Sequence, residues 1–188
     1  MTARAATAAA TRERIVRAAC AVYARVGFRN ASMLAVGREA DVSPNTVLNH
    51  FATPEALLAA VIDLLSSELG LPAPRAVAAA GDLAARVALL AREIAALDVR
   101  NEKWWRVFAN EHQLPALQAA NAAFFRRVEG LVRVALGRGR RDRGTVAVAM
   151  TLIGPPTMLG LRARGMTPAA AADTVVELLL GWLERRAR

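Results

Sequence analysis

Apolar residues recur at every third or fourth position along most of the chain, the spacing that lines one side of an α-helix. Between Thr11 and Gly27, Ile15, Ala18, Ala19, Val22 and Val26 fall on one side, with Arg12, Arg14, Arg17 and Arg25 interspersed. Thr11 suits the cap, Glu13 sits in the first turn and Gly27 closes the helix. Residues 1–10 lack the pattern and are expected to form a flexible arm. Further helices are predicted over 33–40, 44–50 and 54–69, then over 75–97, 102–113, 115–136, 143–164 and 169–185. No stretch sustains period-two alternation between turn signals, so the expected fold is all-α, with about nine helices. Pro155-Pro156 falls inside the predicted 143–164 helix and should kink it.

One of these helices is unusually short. Ser43-Pro44 and Thr53-Pro54 each place a hydroxyl ahead of a Pro, and each pair reads as a helix start. A helix confined to 44–50 cannot persist alone in water, so neighbours must hold it. Two helices joined by a tight turn form a helix-turn-helix, whose second helix enters the DNA major groove. Here 33–40 is the first helix, 41–43 the turn and 44–50 the reading helix. Val36, Ala40, Val42 and Val47 would face inward, leaving Asn45, Thr46, Leu48, Asn49 and His50 for the groove. Asn and Thr suit base edges and phosphates because each offers donors and acceptors at short reach. Ser32 and Ser43, at helix starts, join them as candidate DNA contacts.

Residues 11–60, through "TRERIVRAACAVYARVGFRNASM" and "VGREADVSPNTVLNHFATPEALLAAV", resemble the N-terminal DNA-binding domain of the TetR family of bacterial regulators. The resemblance covers about a quarter of the chain and rests on the order and spacing of its motifs. It implies a helix-turn-helix domain over 11–52, a connecting helix over 53–70 and a helical regulatory domain over 71–188. The chain departs from the pattern at several places. Asp41 stands where the family usually has Gly, Leu48 where it has Tyr, and Pro54 where it has Lys; Leu34 and Ala35 replace positions that are usually polar. Most of these changes remove a polar or charged partner for DNA.

The later helices bear on assembly and control. "TVAVAMTLIG" and "TVVELLLGWL" are apolar nearly all round, and such helices are buried on all faces. Val175, Leu179 and Trp182 lie on one side of the last helix, Val176, Leu180 and Leu183 on another. A second copy of the chain would cover the outer face. A homodimer through the last two helices is also what the TetR resemblance implies. It further implies an effector site, for which Trp104, Trp105, Phe108, His112, Phe124, Phe125, Met150 and Met158 are the candidates. Taken without the resemblance, these residues read as ordinary core, and the Glu111-His112 pair as a solvated helix end.

Charge changes this picture little. The net charge is +9, split between residues 1–55 (seven basic, four acidic, hence +3) and 56–188 (eighteen basic, twelve acidic, hence +6). Arg outnumbers Lys twenty-four to one, so part of the surplus reflects compositional habit rather than a polyanion site. One cysteine, Cys20, excludes an internal disulfide and a cysteine-based metal cluster, and it reads as a small core residue. His50 and His112 show no metal-ligand spacing, and "LGRGRRDRG" lacks the Lys-Ser/Thr of a phosphate loop. No enzymatic site, metal or cofactor is expected. Nor is an export signal or membrane partner, so the expected compartment is the cytoplasm. The reading is a ligand-responsive regulator, a repressor, binding a palindromic double-stranded DNA operator as a homodimer and released by a small apolar effector. The alternative is a helical protein-interaction module or co-regulator with a degenerate DNA-binding domain.

Overall fold

The computed structural model describes residues 3–111 and 113–186. These form eleven α-helices and one 3-10 turn, Arg138–Arg140, with no strand among the described residues. α1 (Ala3–Val26) begins well before Thr11, so the expected flexible arm is helical from Ala3 onward. The Ala-rich opening favours helix without burial, and residues 4–10 are exposed. α2 (Met33–Glu39), α3 (Pro44–His50) and α4 (Pro54–Glu68) fall within a residue of the predicted bounds. Three hydroxyls set their starts. Ser32 accepts a hydrogen bond from the Ala35 N–H at 3.1 Å, Ser43 from that of Thr46 at 3.1 Å, and Thr53 from that of Ala56 at 3.2 Å.

Two predicted helices are divided in the structure. The 75–97 helix becomes α5 (Pro74–Ala79) and α6 (Leu83–Arg100). Asp82 restarts the second by accepting the Ala85 N–H at 2.8 Å. The 143–164 helix becomes α9 (Arg143–Ile153) and α10 (Pro155–Arg162), so Pro155-Pro156 interrupts it rather than bending it. Pro excludes the helical conformation from the residue before it, and Gly154 is extended, with ψ 155°. α7 (Glu102–Glu111), α8 (Pro115–Leu136) and α11 (Pro168–Arg186) complete the set.

The helices form two compact units. The first comprises the residues up to Glu68 together with Lys103–Asn121; the second comprises Leu69–Glu102 and the residues from Ala122 on. The first unit thus includes α7 from Lys103 onward. The reason is packing: Trp104 and Leu117 join Ile15, Ala19, Val22, Val36, Val47, Phe51, Leu57 and Val61 in one apolar core. Each large side chain buried there contributes about 1.5–3 kcal/mol relative to exposure. In the second unit, α6 packs on α9, α10 and α11, enclosing Leu90, Ile94, Leu97, Ile153, Met158 and Leu179. By length and composition Arg143–Arg162 could span a membrane, with a mean hydropathy of 1.4, yet α9 and α10 lie packed against α6 and α11.

Candidate nucleic-acid interface

The turn between α2 and α3 is built by backbone fit. The Val42 N–H donates to the Gly37 carbonyl at 2.9 Å. A Cβ on Gly37 would lie 3.1 Å from the Val42 oxygen and 3.5 Å from the Pro44 nitrogen, so a larger residue would push the turn away. Asp41 takes φ 51°, the left-handed conformation that a Gly would adopt without a Cβ conflict. Val36, Ala40 and Val47 are buried and Val42 is half-buried, as the inward stripe predicts. Behind them the Arg12 guanidinium sits 4.7 Å from the centre of the buried Phe51 ring.

The opposite side of α3 is presented to solvent. Asn45, Leu48 and Asn49 are exposed, as are Ser32 and Ser43; Thr46 and His50 are half-buried. The Ser43 and Thr46 hydroxyls lie 2.8 Å apart and share a hydrogen bond, which fixes both at the helix start. α3 carries no Arg or Lys, so its own chemistry is amide, hydroxyl and apolar. Exposed cations come from outside it, Arg29 and Arg38 among them, while Arg25 is paired with Glu39 at 3.0 Å. Leu34 and Leu48, 47% and 45% exposed, are large apolar side chains on these two short helices. Such an arrangement can insert a short helix into a groove and present amides to base edges.

Residues 15–61 match the family described as bacterial regulatory proteins, tetR family. Over 52 residues the chain is 42% identical to the HTH-type transcriptional regulator UidR of Escherichia coli (strain K12). That match spans 28% of this chain and only 26% of UidR, about a quarter of its length. A crystal structure of a TetR-family regulator from Mesorhizobium loti superposes with a TM-score of 0.72 at 21% identity, covering 96% of this chain and 98% of the other. Residues 15–61 thus match the tetR-family domain, and the chain as a whole shares the fold of that solved regulator. The multidrug binding protein EbrR, complexed with imidazole, has the same fold: its TM-score is 0.65 at 21% identity, with 89% of this chain and 88% of that one covered.

Beyond the shared domain, the residues expected to meet an effector fall into two groups. Trp104, Trp105 and Phe108 are in the first unit, and Phe124, Phe125, Met150 and Met158 in the second; His112 lies outside the described residues. Trp104 is buried, and Trp105 and Phe108 are half-buried. In the second unit Phe124 and Met158 are buried, Phe125 and Met150 half-buried, and the Phe124 and Phe125 rings meet edge-on at 5.5 Å. An open groove of about 500 Å³ in that unit is lined by Asp82, Leu83, Ala84, Arg140, Leu180, Leu183 and Glu184, and by none of these aromatic residues. On α11, Val175, Leu179 and Leu183 are buried within the unit itself. Their packing within one chain leaves Val176, Leu180 and Trp182 as the more accessible members of the set expected at a dimer interface. Val176, Leu180 and Trp182 are half-buried, and Leu178 is 53% exposed.

Two buried acids escaped the sequence pattern. Glu111 is not a solvated helix end: its carboxylate accepts the Phe28 N–H at 3.0 Å and the Arg29 N–H at 3.1 Å. The partners lie 83 and 82 residues away, so no local spacing could announce them. Asp98, on α6, is fully buried, and neither of its oxygens has a hydrogen-bond partner among the described residues. Burial pushes its carboxyl up to about 7, against an opposing pull from Arg162. Burial likewise raises the Tyr23 phenol to about 12 and the Cys20 thiol to about 11, leaving both neutral.

Proposed function

We propose that the chain is a ligand-responsive transcriptional repressor that binds a palindromic DNA operator as a homodimer in the cytoplasm. The observation that carries the DNA reading is α3, seven residues long, capped at Ser43 and anchored by Val47, with Asn45, Leu48 and Asn49 turned outward. Asn49 and Asn45 would meet base edges; Ser32, Ser43, Thr46 and His50 would meet phosphates or sugars. A dimer places two reading helices about 34–36 Å apart, one turn of DNA. Binding across a promoter blocks transcription, hence the repressor.

The effector reading is supported by the aromatic residues of α7 and by a fold shared with a multidrug binding protein. A small apolar molecule that prefers the form unable to bind DNA would release the operator. Moving the population from 1:99 to 99:1 takes roughly 5.5 kcal/mol of differential binding, within reach of a few hundred Å² of buried apolar surface. Exposed Leu34 and Leu48, with Pro54, favour a second reading: a co-regulator whose altered DNA domain docks on another protein. Gel-shift against the DNA upstream of its own gene separates the two. A salt-sensitive shift that competitor DNA of unrelated sequence does not abolish supports the regulator; no shift at nanomolar to micromolar protein leaves the co-regulator.

A further inference from the structure

α1 ends at Val26, and Gly27 turns the chain with φ +83°. The turn aims two successive backbone N–H groups at the last residue of α7. The Phe28 N–H lies 3.0 Å from each Glu111 oxygen, and the Arg29 N–H lies 3.1 Å from one of them. Glu111 as a whole is buried, 9% exposed. The fit is close enough that a Cβ on Gly27 would stand 2.1 Å from Glu111 Oε1. The same turn is gripped through its side chain. The Phe28 ring stacks on Trp104 at 6.3 Å and meets Phe108 at 6.0 Å and Tyr23 at 5.1 Å.

Trp104, Phe108 and Glu111 stand at positions i, i+4 and i+7 of α7, one stripe of the helix. That stripe therefore holds the α1–α2 turn by ring and by backbone at once. Three residues beyond Arg29 the chain reaches Ser32, the cap of α2, so the held turn fixes where the helix-turn-helix begins. A buried carboxylate stripped of its N–H donors is left as an uncompensated charge, so a partly open arrangement is disfavoured. A contact that favours closed or broken over half-open has the character a switch requires.

We propose that Glu111 is a positioning residue for DNA recognition: its carboxylate clamps the α1–α2 turn to α7, and full DNA affinity requires the clamp closed. The proposal rests on the DNA-binding reading and adds its control point. α7 also carries Trp105, so an event that shifts this helix opens the clamp and frees the start of α2.

The test uses the full chain, the DNA upstream of its own gene, and two variants. Glu111→Gln keeps the size and puts an N–H donor where an oxygen accepted; Glu111→Asp keeps the charge and shortens the reach, and serves if the first does not fold. Amide hydrogen exchange and gel-shift are read at a temperature where circular dichroism shows the variant fully folded. The expected result is at least tenfold faster exchange at Phe28 and Arg29, unchanged protection of the Phe51 N–H that closes α3 on the Val47 carbonyl, and at least tenfold weaker DNA binding. Faster exchange with DNA affinity within twofold of wild type overturns the proposal, because Glu111 then only supports the fold. Unchanged exchange overturns it too. Wild-type protein that does not shift this DNA contradicts the functional reading itself, and that outcome is recognised before any variant is examined.

Discussion

At the scale of single residues, what the sequence revealed was local. The caps at Ser32, Ser43 and Thr53 each bond an N–H three residues on, so a dipeptide and its neighbours were enough to find them. Asp41 is similar: its place in the turn demanded a left-handed residue, and φ 51° is what it adopts. Replacing Asp41 by Gly removes the Cβ conflict and should raise the unfolding free energy by up to about 1 kcal/mol; Asp41→Val should lower it by about 1–2 kcal/mol. Urea melts of the two variants should move in opposite directions from wild type. Glu111 could not be found this way. Its meaning depends on N–H groups more than eighty residues away, and at a helix end an acid ordinarily reads as solvated.

At the scale of elements, period and capping located the helices, and the errors lie where two signals compete. Apolar spacing ran through 75–97 and 143–164, but a strong cap at Asp82 and the Pro155-Pro156 pair divided both. α6 carries a further feature that its pattern concealed, the buried Asp98. An acid whose folded-state pKa is raised binds its proton more tightly when folded. Its contribution therefore favours folding most at low pH and is lost as pH rises through the folded value of about 7. Set against the ordinary 3.8, the loss between pH 4 and 8 is at most about 4 kcal/mol. Asp98→Asn mimics the protonated form, so this part of the pH dependence should vanish and the variant should be more stable than wild type at pH 8. Chemical unfolding at pH 5 and pH 8 measures both slopes; equal slopes would show that Asp98 does not titrate in this range.

At the scale of the whole molecule, the candidate site divides by how far its parts depend on assembly. The short helix α3 was legible because its exposed and buried faces are set within seven residues. The outward face of the last helix was not, because an all-apolar helix does not say which face its own chain covers, and α11 turned Val175, Leu179 and Leu183 inward. Leu178→Glu, placed on the face that remains open, should shift sedimentation from twice the 20.0 kDa chain mass toward one chain without lowering the melting temperature. The effector set is tested by contrast. Trp104→Ala removes a buried ring from the first core and should cost about 3–5 kcal/mol. The half-buried Trp105→Ala should cost less and weaken any ligand-induced rise in melting temperature and fall in DNA affinity together, since both report one linked equilibrium.

The proposed role of α3 as the reading helix is tested most directly by gel-shift with the DNA upstream of the gene, comparing wild type with Asn49→Ala and Thr46→Ala. Asn49 faces solvent and Thr46 is half-buried at the helix start, so both variants should melt close to wild type. Each should bind more weakly by about 1–3 kcal/mol. Folded variants that shift the DNA with wild-type affinity would contradict the assignment of α3 as the reading helix.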